Sequence, residues 1–286
     1  MTIKRTLLLL RTYPAPTPET AVGTAVDVAV ALDARISALS VAILPHVPGS
    51  ILSGLIGGIS GLVSAEREKT VNGAQHLLQV FSDLAGQRGV LGDAIYRKCT
   101  PSVVADLLAG YARVNDLTIM PMPEGGYVDQ LDSNWYLETA LFQSGRPIMV
   151  LPYGDRSERV SSFGTVVVAW DHTRAAARAL ADAMPVLRRA KSVRLLTITN
   201  EKPIAREPPP LEAVSYLAAH GIRAAYDAVD ADGSDAATAI VHYLRAQSGD
   251  LLVMGGYGHS RLQELVLGGT TRHMLAHVPV PIFMSH

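Results

Sequence analysis

The residue types best suited to chemistry gather in the last third of the chain. Met254-Gly255-Gly256-Tyr257-Gly258 is followed, after nine residues, by Gly268-Gly269-Thr270-Thr271. Glycines lack the Cβ that keeps a ligand away from backbone N–H groups. A glycine pair at the mouth of a helix adds unpaired N–H donors at the positive end of the helix dipole, a setting that favours an anion. Thr270 and Thr271 contribute hydroxyl donors. A carboxylate, Asp171, stands apart in sequence within Trp170-Asp-His-Thr173. Together these groups suit a phosphate chain. The plainer alternative makes Gly255–Gly258 a strand-ending turn and Gly268-Gly269 a helix entry.

For these residues to meet, a sheet must carry them. Thr165–Ala169 is a continuous β-branched and apolar run, the pattern of a strand buried on both faces. A helix over Arg174–Arg189 follows, then strands at Val193–Thr199 and Arg223–Val229 with a helix over Leu211–His220 between them, closed by Gly221. Ser234 is placed to cap a helix running to about Ala246. Strands at Leu251–Met254 and Val280–Met284, separated by a helix over Thr270–His277, complete the set. Apolar strands alternating with helices form a parallel sheet covered on both faces. In such a sheet ligands bind beyond the carboxyl ends of the strands, where Asp171 and the glycines fall.

The same unit occurs twice. Asn115-Asp-Leu-Thr-Ile-Met120 matches Gly249-Asp-Leu-Leu-Val-Met254, and Arg146-Pro-Ile-Met-Val-Leu151 matches Val280-Pro-Ile-Phe-Met-Ser285, both at an offset of 134 residues. Thr6-Leu-Leu-Leu-Leu10 aligns with Thr165-Val-Val-Val-Ala169 at an offset of 159. The first copy therefore holds extra chain in its middle. The expected fold is α/β: two tandem doubly wound, Rossmann-like domains, each a five-stranded parallel sheet flanked by helices, over residues 1–153 and 164–286 with a polar linker at 154–163.

The spacing Gly255-x-x-Gly258-x9-Gly268, together with Val166-Val-Val-Ala-Trp-Asp171 and Arg272-His-Met-Leu-Ala-His-Val-Pro-Val-Pro281, resembles the universal stress protein family in its tandem two-domain form. The resemblance implies an adenine-nucleotide site, most often for ATP, with or without Mg²⁺, in a stress-response or regulatory protein. Carried over by position, it sets Asp171 beside the ribose or a metal, with Met254 and Gly255 lining the nucleotide. A backbone group near Ile198 or Thr199 reaches the adenine. Gly258 and Gly268 admit the phosphates, and Thr271 donates to them. Two positions depart from the family pattern. Gly269 stands where Ser or Thr is usual, leaving Thr270 as the substitute donor, and His172-Thr173 stands where Gly-Ser is frequent.

The first copy serves as an internal control. At the offset of 134, Gly255, Gly258, Gly268 and Gly269 become Pro121, Glu124, Asn134 and Trp135, while Thr270 and Thr271 become Tyr136 and Leu137. A carboxylate and an indole oppose phosphate entry there. By the offset of 159, Asp171 becomes Thr12. One site per chain is expected, in the second copy, with the first copy structural. The family pairs domains through their last strands, here Pro147–Leu151 and Pro281–Met284, so the partners expected are an adenine nucleotide, an intramolecular domain pair or homodimer, and an unidentified protein. Two alternatives stand beside this reading. One is a ligand-free dimerisation or interaction module. The other is a slow Mg-dependent ATPase in which Asp171 holds the metal and His172 or His259 lies near the phosphates.

The rest of the sequence sets limits. Of its 286 residues 48% are hydrophobic and 18% charged, and a net charge of −1 gives no pull toward nucleic acid or a membrane surface. A single cysteine, Cys99, excludes an internal disulfide and fits a reducing, cytoplasmic location. The apolar run Leu7–Leu10 is too short for a signal core. The glycine-rich stretch 46–65 is broken by prolines and glycines and reads as a flap or helix, with Glu66-Arg-Glu-Lys69 starting a solvated helical face. Cys99, beside Lys98 and after a strand at Ala94–Arg97, reads as an inert thiol, in a loop or partly buried. His273 and His277 have helical i, i+4 spacing but no third ligand, and no metal site is assigned. No GxxxxGK[ST], GxSxG or zinc pattern occurs, and no catalytic residue is assigned.

Overall fold

The computed structural model describes residues 2–12, 16–43, 58–123, 131–153, 163–200, 209, 211–256 and 269–286. Ten strands form one sheet. In the first half they are β1 (Arg5–Leu10), β2 (Arg35–Ile43), β3 (Leu91–Cys99), β4 (Leu117–Pro123) and β5 (Ile148–Tyr153). In the second they are β6 (Thr165–Ala169), β7 (Ser192–Thr199), β8 (Ala224–Asp230), β9 (Gly249–Gly255) and β10 (Ile282–Ser285). The spatial order is β3-β2-β1-β4-β5-β10-β9-β6-β7-β8. Within each half every pairing is parallel, and the halves join where β10 runs antiparallel to β5, Phe283 facing Met149.

Helices α1 (Glu19–Leu32), α2 (Gly58–Gln87), α5 (Arg174–Asp182), the one-turn α6 (Met184–Leu187) and α7 (Leu211–Ala219) cover one face. Helices α3 (Val104–Arg113), α4 (Leu131–Gln143), α8 (Ala236–Ala246) and α9 (Gly269–His277) cover the other. Strand alternation feeds both cores. Leu8 and Val168 face the α1/α5 side, and Leu7 and Val167 face the α3/α8 side. Each core contains residues from both halves, so the seam between them is buried rather than hinged.

The ladder registers correct the first-strand alignment. Leu7 faces Thr118 and Leu8 faces Ile119, while Val167 faces Leu252 and Val168 faces Val253. With the β4-to-β9 offset held at 134, β1 maps onto β6 at 160, not 159. A one-residue slip would exchange the two faces of the strand. An independent contact agrees. The Asp116 carboxylate accepts from the N–H groups of Lys4 and Arg5, at 2.9 and 3.1 Å, and the Asp250 carboxylate accepts from Thr165 N–H at 2.6 Å. The repeated Asp is thus a staple at the amino end of the first strand of each half, opposite the ligand edge. Gly164 is glycine for this reason, since a Cβ would fall 2.2 Å from Asp250 Oδ2.

Three further local expectations change. The helix expected over Arg174–Arg189 divides at Ala183, because Pro185 lacks the N–H a continuous helix would need. The cap of α8 is Asp235, whose Oδ1 accepts from Thr238 N–H at 2.7 Å, while Ser234 turns back to Ala231 O. Strand β3 extends through Cys99, which pairs opposite Ile43 instead of lying in a loop. Of the 46–65 insertion, 46–57 lies outside the described residues. Helix α2 begins at Gly58 and, through buried Leu77 and Phe81, packs as the crossover between β2 and β3. The side chains of Glu66–Lys69 and the linker region 154–162 also lie outside the described residues.

Candidate functional site

The carboxyl edge of the second half's sheet is built from three adjacent strands, β9, β6 and β7. Just past β6 the chain turns sharply. Asp171 Oδ1 accepts from Thr173 N–H at 3.0 Å and from Thr173 Oγ1 at 2.7 Å, and His172 between them adopts a left-handed φ of 63°. Thr173 Oγ1 in turn accepts from Ala176 N–H at 3.2 Å, capping α5. This chain of bonds fixes Asp171 by the first turn of α5. Both bonds to Asp171 fall on Oδ1, which leaves Oδ2 of this exposed carboxylate available. A left-handed φ at this position costs His172, which carries a Cβ, of the order of 1 kcal/mol that glycine would not incur.

Gly255, at the end of β9, is drawn to the same turn. A Cβ there would sit 2.6 Å from Ala175 C and Ala176 N. Its first requirement is therefore the close approach of α5, and that approach brings the Asp171 turn and the end of β9 together. Met254 is buried in the α3/α8-side core beside its ladder partner Met284. Thr199 ends β7; its carbonyl accepts from Ala231 N–H at 2.9 Å and its hydroxyl donates to Val229 O at 3.3 Å. Gly269 opens α9 and is exposed, with nothing within 4 Å of a Cβ built on it. Thr270 is half-buried and Thr271 buried in the first turn of that helix. Gly258, His259 and Gly268 lie outside the described residues.

The first half presents a different edge. With the corrected offset, Asp171 corresponds to Arg11, not Thr12, so the carboxylate position carries a guanidinium. Arg11 is held by paired bonds with Thr17, each residue's backbone engaging the other. Pro121, at the Gly255 position, faces Leu151 of β5, beyond the last β1–β4 pair at Ile119. Asn134, at the Gly268 position, lies inside α4. Trp135 and Tyr136 meet edge to face with ring centroids 5.1 Å apart, and Leu137 is fully buried. Glu124 lies outside the described residues.

Sequence reading missed three features. His172 packs against Trp170 at 5.4 Å between centroids, and the Nε2 and Nε1 atoms of the two rings are buried without a hydrogen-bond partner. Arg194, Asp227 and Tyr243 form a polar cluster beneath α8, with Arg194 Nε donating to Tyr243 Oη at 2.7 Å and Tyr243 donating to Asp227. Burial raises the Tyr243 phenol above its ordinary value, and the Tyr243 bond raises Arg194. The third is a contact between the halves at Gly256. A lone charge inside an otherwise uncharged strand, Arg194 in Ser192–Thr199, is the signal that pointed toward the second of these.

Other titratable groups are placed structurally. His277 Nδ1 bonds to the His273 carbonyl at 3.1 Å, and His273 Nδ1 lies 3.8 Å from Asp235. The Thr238 N–H bond holds the Asp235 carboxyl below its usual range. Burial pushes the Cys99 thiol up. Among the described residues no group of three or more His, Cys, Asp or Glu is arranged to hold a metal ion, and no helix is long and apolar enough to cross a membrane.

Comparison with known proteins follows the same division. The universal stress protein family model matches residues 162–286. A universal stress protein of Synechocystis sp. is 46% identical over 44 residues, a stretch covering 15% of this chain and 15% of that protein. A universal stress protein structure from Archaeoglobus fulgidus superposes with a TM-score of 0.71 at 16% identity, covering 98% of this chain and 95% of that one. A structure titled as a putative universal stress protein from Pseudomonas aeruginosa gives a TM-score of 0.54 at 14% identity, covering 99% and 93%. At these identities the two structures share the fold over both halves. Residues 162–286, the second half of the chain, are similar to the universal stress protein family.

Proposed function

We propose that this stress-response protein binds one adenine nucleotide per chain, as ATP with or without Mg²⁺, at the carboxyl edge of its second half. The first half acts as a structural partner. The observation that carries the reading is the meeting of the Asp171 turn with the end of β9 at Gly255, beside the strand that ends in Thr199. Asp171 Oδ2 fits a ribose hydroxyl or a bound cation. The exposed start of α9 at Gly269 is open to an anion, where free N–H groups and the helix dipole act together. Bound nucleotide supplies the anionic chain, and the residues of this edge orient it.

The exchange of Asp171 for Arg11, and of an open glycine for the Trp135–Tyr136 pair, supports confining the site to the second half. Calorimetric titration of nucleotide-free protein with ATP and Mg²⁺ tests this. The expected stoichiometry is one per chain, and Asp171→Ala should weaken affinity about tenfold, the value of one hydrogen bond to a polar hydroxyl near 1.4 kcal/mol. Two equal sites, or tight binding unchanged by Asp171→Ala, would overturn it.

A further inference from the structure

The end of β9 is held by β10 and, through it, by α4 of the first half. Gly256 N–H donates to Ser285 O at 2.8 Å, and His286 Nδ1 donates to Gly256 O at 3.0 Å, so both backbone groups of Gly256 are engaged by β10 and the residue after it. The ring of His286 stands edge-on to Phe142 of α4, with centroids 4.9 Å apart. Leu141, one residue earlier, fills the space a side chain at position 256 would occupy: a Cβ there would fall 2.8 Å from Leu141 Cδ2. In the first half the equivalent position is Met122, which is buried and fills its own space. The second half has given up that side chain, and the first half inserts Leu141 in its place.

Helix α9 shares this anchorage. Its buried residues Met274, Leu275 and Ala276 lie in the same core as Leu137, Ala140 and Leu141 of α4. One part of the proposed site beyond β6, the Met254–Gly256 strand end, therefore rests on the helix that follows the degenerate fourth strand of the other half, and α9 closes over the same core. We propose that Leu141 and Phe142 are positioning residues for the second-half site, acting through Gly256 and His286, so that ligand affinity in one half is set by a contact from the other. This proposal rests on the nucleotide reading above. It assigns the first half a role beyond completing the sheet. By linkage, a ligand at the β9 end must tighten α4 to the same degree that α4 tightens the ligand.

The test uses the full chain with Leu141→Ala, Leu141→Met, Phe142→Leu and His286→Ala, the last two being mild enough to keep the fold should Leu141→Ala lose it. ATP affinity is measured by calorimetry, and amide exchange of α4 and of Gly256 is followed with and without ATP. Couplings between sites of this kind change affinity about 5- to 150-fold. The expected result is a loss in that range for Leu141→Ala, smaller losses for Phe142→Leu and His286→Ala, and recovery with Leu141→Met. ATP should also slow exchange in α4 of the wild type, which a purely structural contact would not do. Wild-type protein that binds ATP, with folded variants within twofold of it and α4 exchange insensitive to ATP, overturns the positioning role and leaves the nucleotide reading standing. Wild-type protein that binds no adenine nucleotide overturns both.

Discussion

Gly269 is one of the two positions at which this chain departs from the pattern of the family it resembles, and its surroundings say what the departure costs. It heads α9, is exposed, and has open space where a side chain would grow. Its glycine is not demanded by packing, unlike Gly255, whose Cβ would strike the α5 backbone. Gly269→Ser should therefore fold normally and restore a hydroxyl donor at the phosphate end. A charge-assisted bond near ~1.5 kcal/mol raises ATP affinity roughly tenfold. Unchanged affinity in calorimetry would mean that phosphate does not reach this turn. Cys99 makes a contrasting residue-scale case. Burial lifts its thiol above the ordinary range, so less thiolate is present at pH 7–8 than in a free cysteine. Alkylation by iodoacetamide should be slower than for a small thiol at pH 8 and should keep rising past pH 9. A rate that levels off below pH 8 would contradict this.

Among the elements, β7 and β8 are tied to α8 by the Arg194–Asp227–Tyr243 cluster. Tyr243 is 8% exposed, and its hydroxyl both accepts from Arg194 and donates to Asp227. Removing it breaks both bonds but leaves Arg194 and Asp227 paired with each other, 3.0 Å apart, so Tyr243→Phe should cost about 1 kcal/mol. Urea unfolding should show a lower midpoint with an unchanged slope; a midpoint equal to wild type would make the cluster a surface ornament. Legibility at this scale followed the physics of each signal. Strands such as β6 and β9 were readable because a buried parallel strand is a continuous apolar run. The first-strand register was not, because four consecutive leucines carry no face information. The ladder registers, and the bonds that Lys4 and Arg5 N–H donate to Asp116 and Thr165 N–H donates to Asp250, distinguish an offset of 160 from 159. Asp235 outcompeted Ser234 as a cap for a similar reason: neighbouring residues of equal propensity differ only in backbone geometry.

At the scale of the whole molecule, duplication has produced one sheet with two unequal edges. The repeat at an offset of 134 was visible in sequence because β4, β5, β9 and β10 keep the same ladder partners, Met120 facing Val150 as Met254 faces Met284. The contact of Leu141 with Gly256 was not visible, since residues more than a hundred positions apart meet only once β5 and β10 pair. The central claim is that ligand binding survives in the second half alone. Its most direct test is photolabelling of the full chain with an azido-adenine nucleotide and Mg²⁺, followed by peptide mapping. The account predicts label, competed by ATP, in peptides from residues 162–286 near Thr199 or Met254. ATP-competed label in peptides from residues 1–153 would contradict it.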